Sequence, residues 1–304
     1  MTFYGENESG RFELPAAISV EINCELGVPA DDMTVTFPGA LPTLFRIYAQ
    51  ENGEEVFCGV ADEQIETRGN DGCKTTVCAR SLAALALDSE CEAGEYVSPS
   101  LSVMYLKHLL PFGITPDSEL PNVSGSSMTV ARGQSHYFAV KKFCSIFMET
   151  QPRIDSTGRF RADARKGGEP IVFGRSGIGF SRLVVRKRRC GLISKVFVTT
   201  DGKPVTVSDK EAILNGVVRE RRISLLDSRT GTLSDADEII RKGRASAFEA
   251  ELLCPDFLGD IVGSSAAVKG GGLDGMKLVI KRTKFTAGGS SPQTRVTLAL
   301  EEVL

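Results

Sequence analysis

The chain has 304 residues, of which 25% are charged and 41% hydrophobic, with a formal net charge of -3. Those proportions suit a globular protein with a core of useful size, so disorder is not the default reading. The slight acidic balance argues against a general nucleic-acid binder, which needs surplus Lys and Arg to release counterions.

The first third reads as β. Ile18, Val20, Ile22 and Cys24 alternate with polar residues, the period of a half-buried strand. Met33 to Phe37 and Leu44 to Ala49 are two further short strands, and Val56, Cys58 and Val60 alternate again, with Gly59 placed as a bulge. The stretch Ile65 to Arg68 runs into Gly69-Asn70-Asp71-Gly72, and Lys74 to Ala79 runs back. That is a hairpin signature, because Asn and Gly tolerate the positive φ of a tight turn.

The pattern changes near Ser81. Ser81 to Leu87 is a short apolar patch, strand or helix. A clear helix follows, with Ser98 as cap, Pro99 in the first helical position, and Leu101, Met104, Tyr105, His108 and Leu109 on one face. Pro111 and Gly113 end it. Residues 114–132 read as a connecting loop rich in Pro, Ser and Gly. A second helix is expected from Ser135 to Glu149, its inner face made by Tyr137, Val140, Cys144 and Phe147. Arg153 to Ala162 then forms a small hairpin around Ser156-Thr157-Gly158.

From Pro170 the chain returns to β, with strands at Leu183 to Val185, Val196 to Thr199 and Val205 to Val207, the last two joined at Asp201-Gly202. Ser234 begins a third helix. Its acidic residues Asp235, Asp237 and Glu238 lie near the N-terminus and Arg241, Lys242 and Arg244 near the C-terminus, as the helix dipole prefers, while Gly243 weakens it. Met276 to Phe285 and Thr294 to Glu301 are long strands at the tail. The segregated order predicts an α+β, mostly β fold rather than a parallel βαβ sheet. The expected organisation is a β domain over 1–95, an α/β segment over 96–175, and a second β domain over 176–304 with its helix near 234–247.

Groups for chemistry are sparse. The two histidines, His108 and His136, fall on different helices, His108 on an apolar face and His136 in an exposed first turn, which makes no zinc site. The eight cysteines (Cys24, Cys58, Cys73, Cys78, Cys91, Cys144, Cys190 and Cys254) show no Cys-x-x-Cys spacing and read as reduced thiols in apolar stretches, with Cys73 and Cys78 as cross-strand neighbours at a hairpin. Gly174 to Gly179 lacks the Lys-Ser/Thr of a phosphate loop and the helix that would follow it. There is no Gly-x-Ser-x-Gly, and the acidic pairs Asp31-Asp32, Glu54-Glu55 and Glu301-Glu302 read as turn or terminal residues. With no Trp and five Tyr, a sugar-stacking hydrolase cleft is disfavoured. No enzyme, cofactor or metal is therefore expected. One basic run stands out, Arg182, Arg186, Lys187, Arg188 and Arg189, a solvated strand face or a surface for a polyanion or acidic partner, with Arg219, Arg221 and Arg222 as a second cluster. The N-terminus carries no secretory signal and no apolar run approaches the roughly 18 residues of a membrane span.

Several segments in order resemble the baseplate hub proteins of contractile phage tails. They are Val56-Phe57-Cys58-Gly59-Val60-Ala61 with its hairpin, Cys78 to Asp88, Pro99-Ser100-Leu101 with the helix to His108, and Pro111 to Ile114. The helix opened by Gly133-Gln134-Ser135, the hairpin around Gly158 and the run from Ser234 to Pro255 complete the series. The group spans Mu-like hubs, late control protein D, the N-terminal half of type VI secretion spike proteins, and prophage tail proteins of Gram-positive type. The resemblance implies two related β-barrel-like domains joined by an α/β segment, and a homotrimeric ring. Such a ring joins a sixfold tail tube to a threefold spike in the virion baseplate, with tape-measure protein and transiting DNA as further lumen partners. It also implies a virion structural protein synthesised in the host cytoplasm. Ending at Leu304 without β-helix repeats, the sequence leaves the spike to a separate protein. The competing expectations are a tail-associated peptidoglycan hydrolase and a carbohydrate- or receptor-binding tail module.

Overall fold

The computed structural model describes residues 1–70, 72–200, 203–224 and 233–301. They divide into two compact units. The first comprises Met1–Gly168, Cys254–Ser264 and Lys281–Val296, and the second Glu169–Leu253, Ser265–Ile280 and Thr297–Leu304.

Unit 1 opens with a hairpin that shows no alternation in sequence, β1 (Thr2–Asn7) and β2 (Gly10–Glu13). The period-2 runs then fold as read: β3 (Ser19–Glu25), β4 (Asp32–Pro38) and β5 (Arg46–Glu51), which bury Val20, Ile22, Met33, Val35, Phe37 and Ile47 on the core side. The hairpin of β6 (Glu54–Gly69) and β7 (Gly72–Ser81) is paired antiparallel from Gly59↔Ser81 to Gly69↔Gly72. Its Asp71 lies outside the described residues. Gly59 is not a bulge. A Cβ there would stand 2.3 Å from the Arg80 carbonyl oxygen, so glycine is needed for close strand approach. The register instead shifts between Ala61 and Glu63.

The apolar patch after Ser81 is helical, α1 (Ala83–Asp88), with Ala83, Ala84 and Ala86 buried. Next come β8 (Gly94–Val97) and α2 (Leu101–His108). The cap of α2 is Ser100, not Ser98. Ser100 has the extended backbone a cap needs, and its hydroxyl accepts from the Val103 N–H, whereas Ser98 sits at φ 49. A 3-10 turn (Leu110–Phe112) closes on Gly113 at φ 76. The segment 114–132, expected as loop, holds β9 (Thr115–Pro116) and β10 (Ser127–Val130). The alternation of β10 is only four residues long, but pairing with β8 buries Met128 and Val130. The second helix is α3 (His136–Phe147), capped by Ser135, and the small hairpin is β11 (Arg153–Ile154) with β12 (Arg159–Arg161). Helices α1 to α3 share one core with Leu101, Met104, Tyr137, Phe143, Cys144 and Phe160.

Unit 2 contains most of β13 (Lys166–Gly174), then β14 (Arg182–Lys187), β15 (Lys195–Thr200) and β16 (Lys203–Ser208). Strands β15 and β16 form the expected hairpin, although Asp201 and Gly202 at its turn lie outside the described residues. A short helix absent from the sequence reading, α4 (Lys210–Leu214), is capped by Asp209, and β17 (Glu220–Ser224) pairs parallel with β15. The third helix is α5 (Leu233–Ala247), which shares a small core with Ile193, Val196 and Val198. Its Gly243 packs close to the backbone of Gly191, at a distance where a Cβ would meet that carbonyl oxygen at 2.9 Å.

The chain ends with β18 (Phe248–Pro255), β19 (Ser264–Lys269), β20 (Leu278–Gly288) and β21 (Ser290–Leu300). In unit 1 the sheet runs β21-β20-β3-β4-β7-β6-β5-β1-β2. In unit 2, β14 pairs antiparallel with β18, and β19 with β20. The fold is α+β and mostly β, as expected, with antiparallel sheets, but no closed barrel forms among the described residues. No helix among them is long and apolar enough to cross a membrane.

Candidate functional site

Three groups of polar side chains stand out. The first is the basic run read from the sequence, in unit 2. Arg182, Arg186 and Lys187 lie on β14, which pairs with β18, and β18 supplies acids to meet them. Arg186 reaches Glu249 at 3.1 Å and Glu251 at 3.4 Å, and Arg188 reaches Glu249 at 3.4 Å. Arg182 is exposed at the far end of β14. Lys187, Arg188 and Arg189 rim a cleft of about 440 Å³ with an apolar wall that includes Leu192, Phe248 and Leu300. The Asp209–Arg244 pair, at 2.7 Å, crosses the same cleft. Of the second cluster, Arg219 donates to the Arg189 carbonyl, Arg222 lies over the Phe197 ring at 4.6 Å, and the chain thus places Arg219 beside the first cluster.

The second group joins the two histidines in unit 1. They are not isolated, because α2 packs on α3 and sets His108 Nδ1 3.1 Å from His136 Nδ1. His136 is half-buried, not exposed, and packs edge-on to Phe112. The Tyr96 hydroxyl lies 2.9 Å from His108 Nε2. With Tyr96 donating there, His108 carries its proton on Nδ1 and His136 Nδ1 accepts it, so both nitrogens of the neutral His108 ring are satisfied. Burial, then the neighbouring His136 and Lys107, pushes the His108 ring down to about 4, and burial with Lys107 lowers His136. His108 is fully buried. A folded pKa below the unfolded one stabilises the protein above about pH 6.5 and is lost as pH falls toward 4, worth about 3 kcal/mol for His108. Urea unfolding should therefore show stability dropping between pH 6.5 and 4, with a shallower drop in His108→Asn. An identical slope in the variant would contradict the pairing. Among the described residues no group of three or more His, Cys, Asp or Glu is placed to hold a metal ion.

The third group, in unit 1, was hidden in the sequence. Asp31, expected in a turn, is buried just before β4, and its carboxylate accepts from Arg153 at 2.7 Å. Arg153 is itself only 3% exposed and also donates to the Glu25 carbonyl at 3.1 Å. Asp260 approaches Arg153 at 3.7 Å and takes Lys166 at 2.7 Å. Arg161 stands 3.7 Å from Asp260 and 3.9 Å from Asp117. Burial pushes the Asp31 carboxyl up to about 7; Arg153 opposes that rise and Asp260 adds to it. Burial works against the Arg153 charge, but Asp31 and Asp260 outweigh it and hold the guanidinium protonated. The network ends at an open polar cleft of about 1060 Å³ between the start of β6 and the β11–β12 hairpin, with Asp260 and Lys166 on its rim. No local signal marked this burial, because Asp31 stands next to Asp32 and the pair has the composition of a turn.

The free cysteines include five buried thiols and an exposed Cys190. Cys73 and Cys78 are not cross-strand neighbours: both lie on β7, opposite Arg68 and Glu63.

No family model matches the chain, and no curated protein matches it by sequence. Solved structures do match. A 43 kDa tail protein of prophage MuSo2 from Shewanella oneidensis is similar at a TM-score of 0.77 and 15% identity, over 100% of this chain and 99% of that one. A tail protein from Neisseria meningitidis is similar at 0.75 and 12% identity, over 99% and 97%. The E. coli c3393 protein, a component of the type VI secretion system, is similar at 0.56 and 10% identity, over 94% and 74%. The chain has the fold of these tail proteins.

Proposed function

We propose that this chain is a structural subunit of a phage tail or a related injection device, and that it serves there as the baseplate hub. The observation that carries the reading is the end-to-end correspondence with the 43 kDa tail protein, which leaves almost none of either chain unmatched. In this reading three copies close a ring through a heterologous interface repeated about an axis. One face of the ring meets the sixfold tube of a contractile tail and the other the threefold spike, with tape-measure protein and DNA passing through the lumen. The chain acts through surfaces, not catalysis, in the virion baseplate, and is made in the host cytoplasm. Sedimentation of the purified chain, alone and mixed with tail-tube and spike proteins of the same source, tests the reading. The expected result is a species of three copies, formed alone or on addition of the spike. A chain that stays monomeric and binds neither protein would overturn it.

A further inference from the structure

The cleft of unit 2 at the end of β14 combines an apolar wall with a surplus of positive charge. Its walls are held by backbone. Gly191 and Gly243 let the turn after β14 lie directly on α5, where a Cβ at position 191 would stand 2.0 Å from the Ser246 hydroxyl oxygen. The Arg188 N–H donates to the Ala247 carbonyl at 2.7 Å, and the Arg219 guanidinium donates to the Arg189 carbonyl at 2.6 Å. Helix α4 is tied to α5 as firmly. Asp209 accepts from Arg244 through two bonds, at 2.7 and 2.8 Å, and caps α4 through the Ala212 N–H, so both of its oxygens are spent. The charges divide unevenly. Four cations line the cleft, Lys187, Arg188, Arg189 and Arg244, against two carboxylates, Asp209 and Glu211. Arg244 belongs to Asp209, and Arg188 reaches Glu249 at 3.4 Å. Lys187 and Arg189 form no ion pair among the described residues, and Glu211 is the one uncommitted acid of the lining. One positive charge is left over.

A preformed cleft of about 440 Å³ with an apolar wall and a few charged groups has the size and chemistry of a site for one organic molecule. Leu192, Ala212, Phe248 and Leu300 supply the apolar surface. Phe248 stands opposite Lys187 in the β14–β18 register, so the two side chains emerge on the same face and the ammonium edges the apolar surface. We infer that this cleft binds a small amphipathic organic acid, with its apolar chain against Leu192, Phe248 and Leu300 and its carboxylate on Lys187 and Arg189. A monoanion matches the single surplus charge. A nucleic-acid strand would bring a row of phosphates past Asp209 and Glu211, which one carboxylate avoids. An acidic segment of a protein offers the same carboxylate, but its backbone amides would be desolvated against the apolar wall. The inference does not depend on the tail reading.

Isothermal titration calorimetry of the full chain with octanoate, and with octanol as the neutral analogue, tests the inference. One octanoate per chain is expected, bound about tenfold more tightly than octanol. Arg189→Gln and Lys187→Gln should each weaken octanoate about threefold and leave octanol unchanged, while Glu211→Gln should tighten octanoate by a similar factor. Leu192→Ser should weaken both ligands. Lys187, Arg189 and Glu211 are exposed, so these three variants are expected to fold. The inference is overturned if octanoate shows no saturable binding, if octanol binds as tightly, or if Arg189→Gln and Lys187→Gln leave the octanoate affinity unchanged. A short peptide of alternating Glu and Leu that binds more tightly and displaces octanoate would overturn it as well.

Discussion

Above about pH 7, where Asp31 is ionised, replacing Arg153 with alanine should lower the stability of the protein by about 3–5 kcal/mol, the cost of leaving one partner of a buried ion pair without its counter-charge. Asp31 would then lie buried with its nearest counter-charge gone, and Asp260 would lose a neighbour on the same side. For a body of this size the melting temperature should fall by roughly 10 °C. The pH dependence carries a second signature. Asp31 already holds its proton up to about 7. Its folded pKa lies above the unfolded one, so its contribution favours folding at low pH and is lost as pH rises through 7. Without Arg153 that pKa moves higher still, so the gap between variant and native protein should widen above pH 7. The double change Arg153→Met with Asp31→Asn should recover much of the loss, because it removes both charges together. Melting curves at pH 5 and pH 8 measure both effects, and equal deficits at the two pH values would refute the assignment of Asp31 as the stranded group.

Phe143→Ala should cost a similar amount, about 3–5 kcal/mol, through lost burial and the cavity left behind. Phe143 is fully buried on α3, with its ring 5.1 Å from that of Phe147, in the core shared by α1, α2 and α3. Phe138 lies on the same helix but is 40% exposed, and Phe138→Ala should change stability by about 0.5 kcal/mol at most. Guanidinium unfolding of both variants makes the comparison. Comparable losses would mean that the outer face of α3 is covered, as a docked partner would cover it.

The sequence carried the parts of the fold that local pattern dictates. Period-2 runs located β3, β4 and β21, and the capping Ser135 with the apolar face after it located α3. The β1–β2 hairpin escaped because Gly5, Gly10 and several charged residues interrupt any alternation. Helix α4 escaped because five residues carry too little period to read. The cap of α2 was displaced by two residues because Ser98 and Ser100 are equivalent in composition and differ only in backbone conformation. The candidate sites were less legible, for a topological reason. Arg153 meets Asp31 across 122 positions, and His108 meets His136 across 28. No local periodicity encodes such contacts. The basic run from Arg182 to Arg189 was visible as a string of letters, but its partial neutralisation by Glu249 and Glu251 depends on the β14–β18 register.

Cryo-electron microscopy of complete tail particles produced with this chain tests the hub assignment most directly. Density for three copies in a ring at the junction of tube and spike, and particles lacking tube–spike attachment when the chain is omitted, is the predicted result. Intact spiked tails assembled without the chain, or its density elsewhere on the particle, would contradict it.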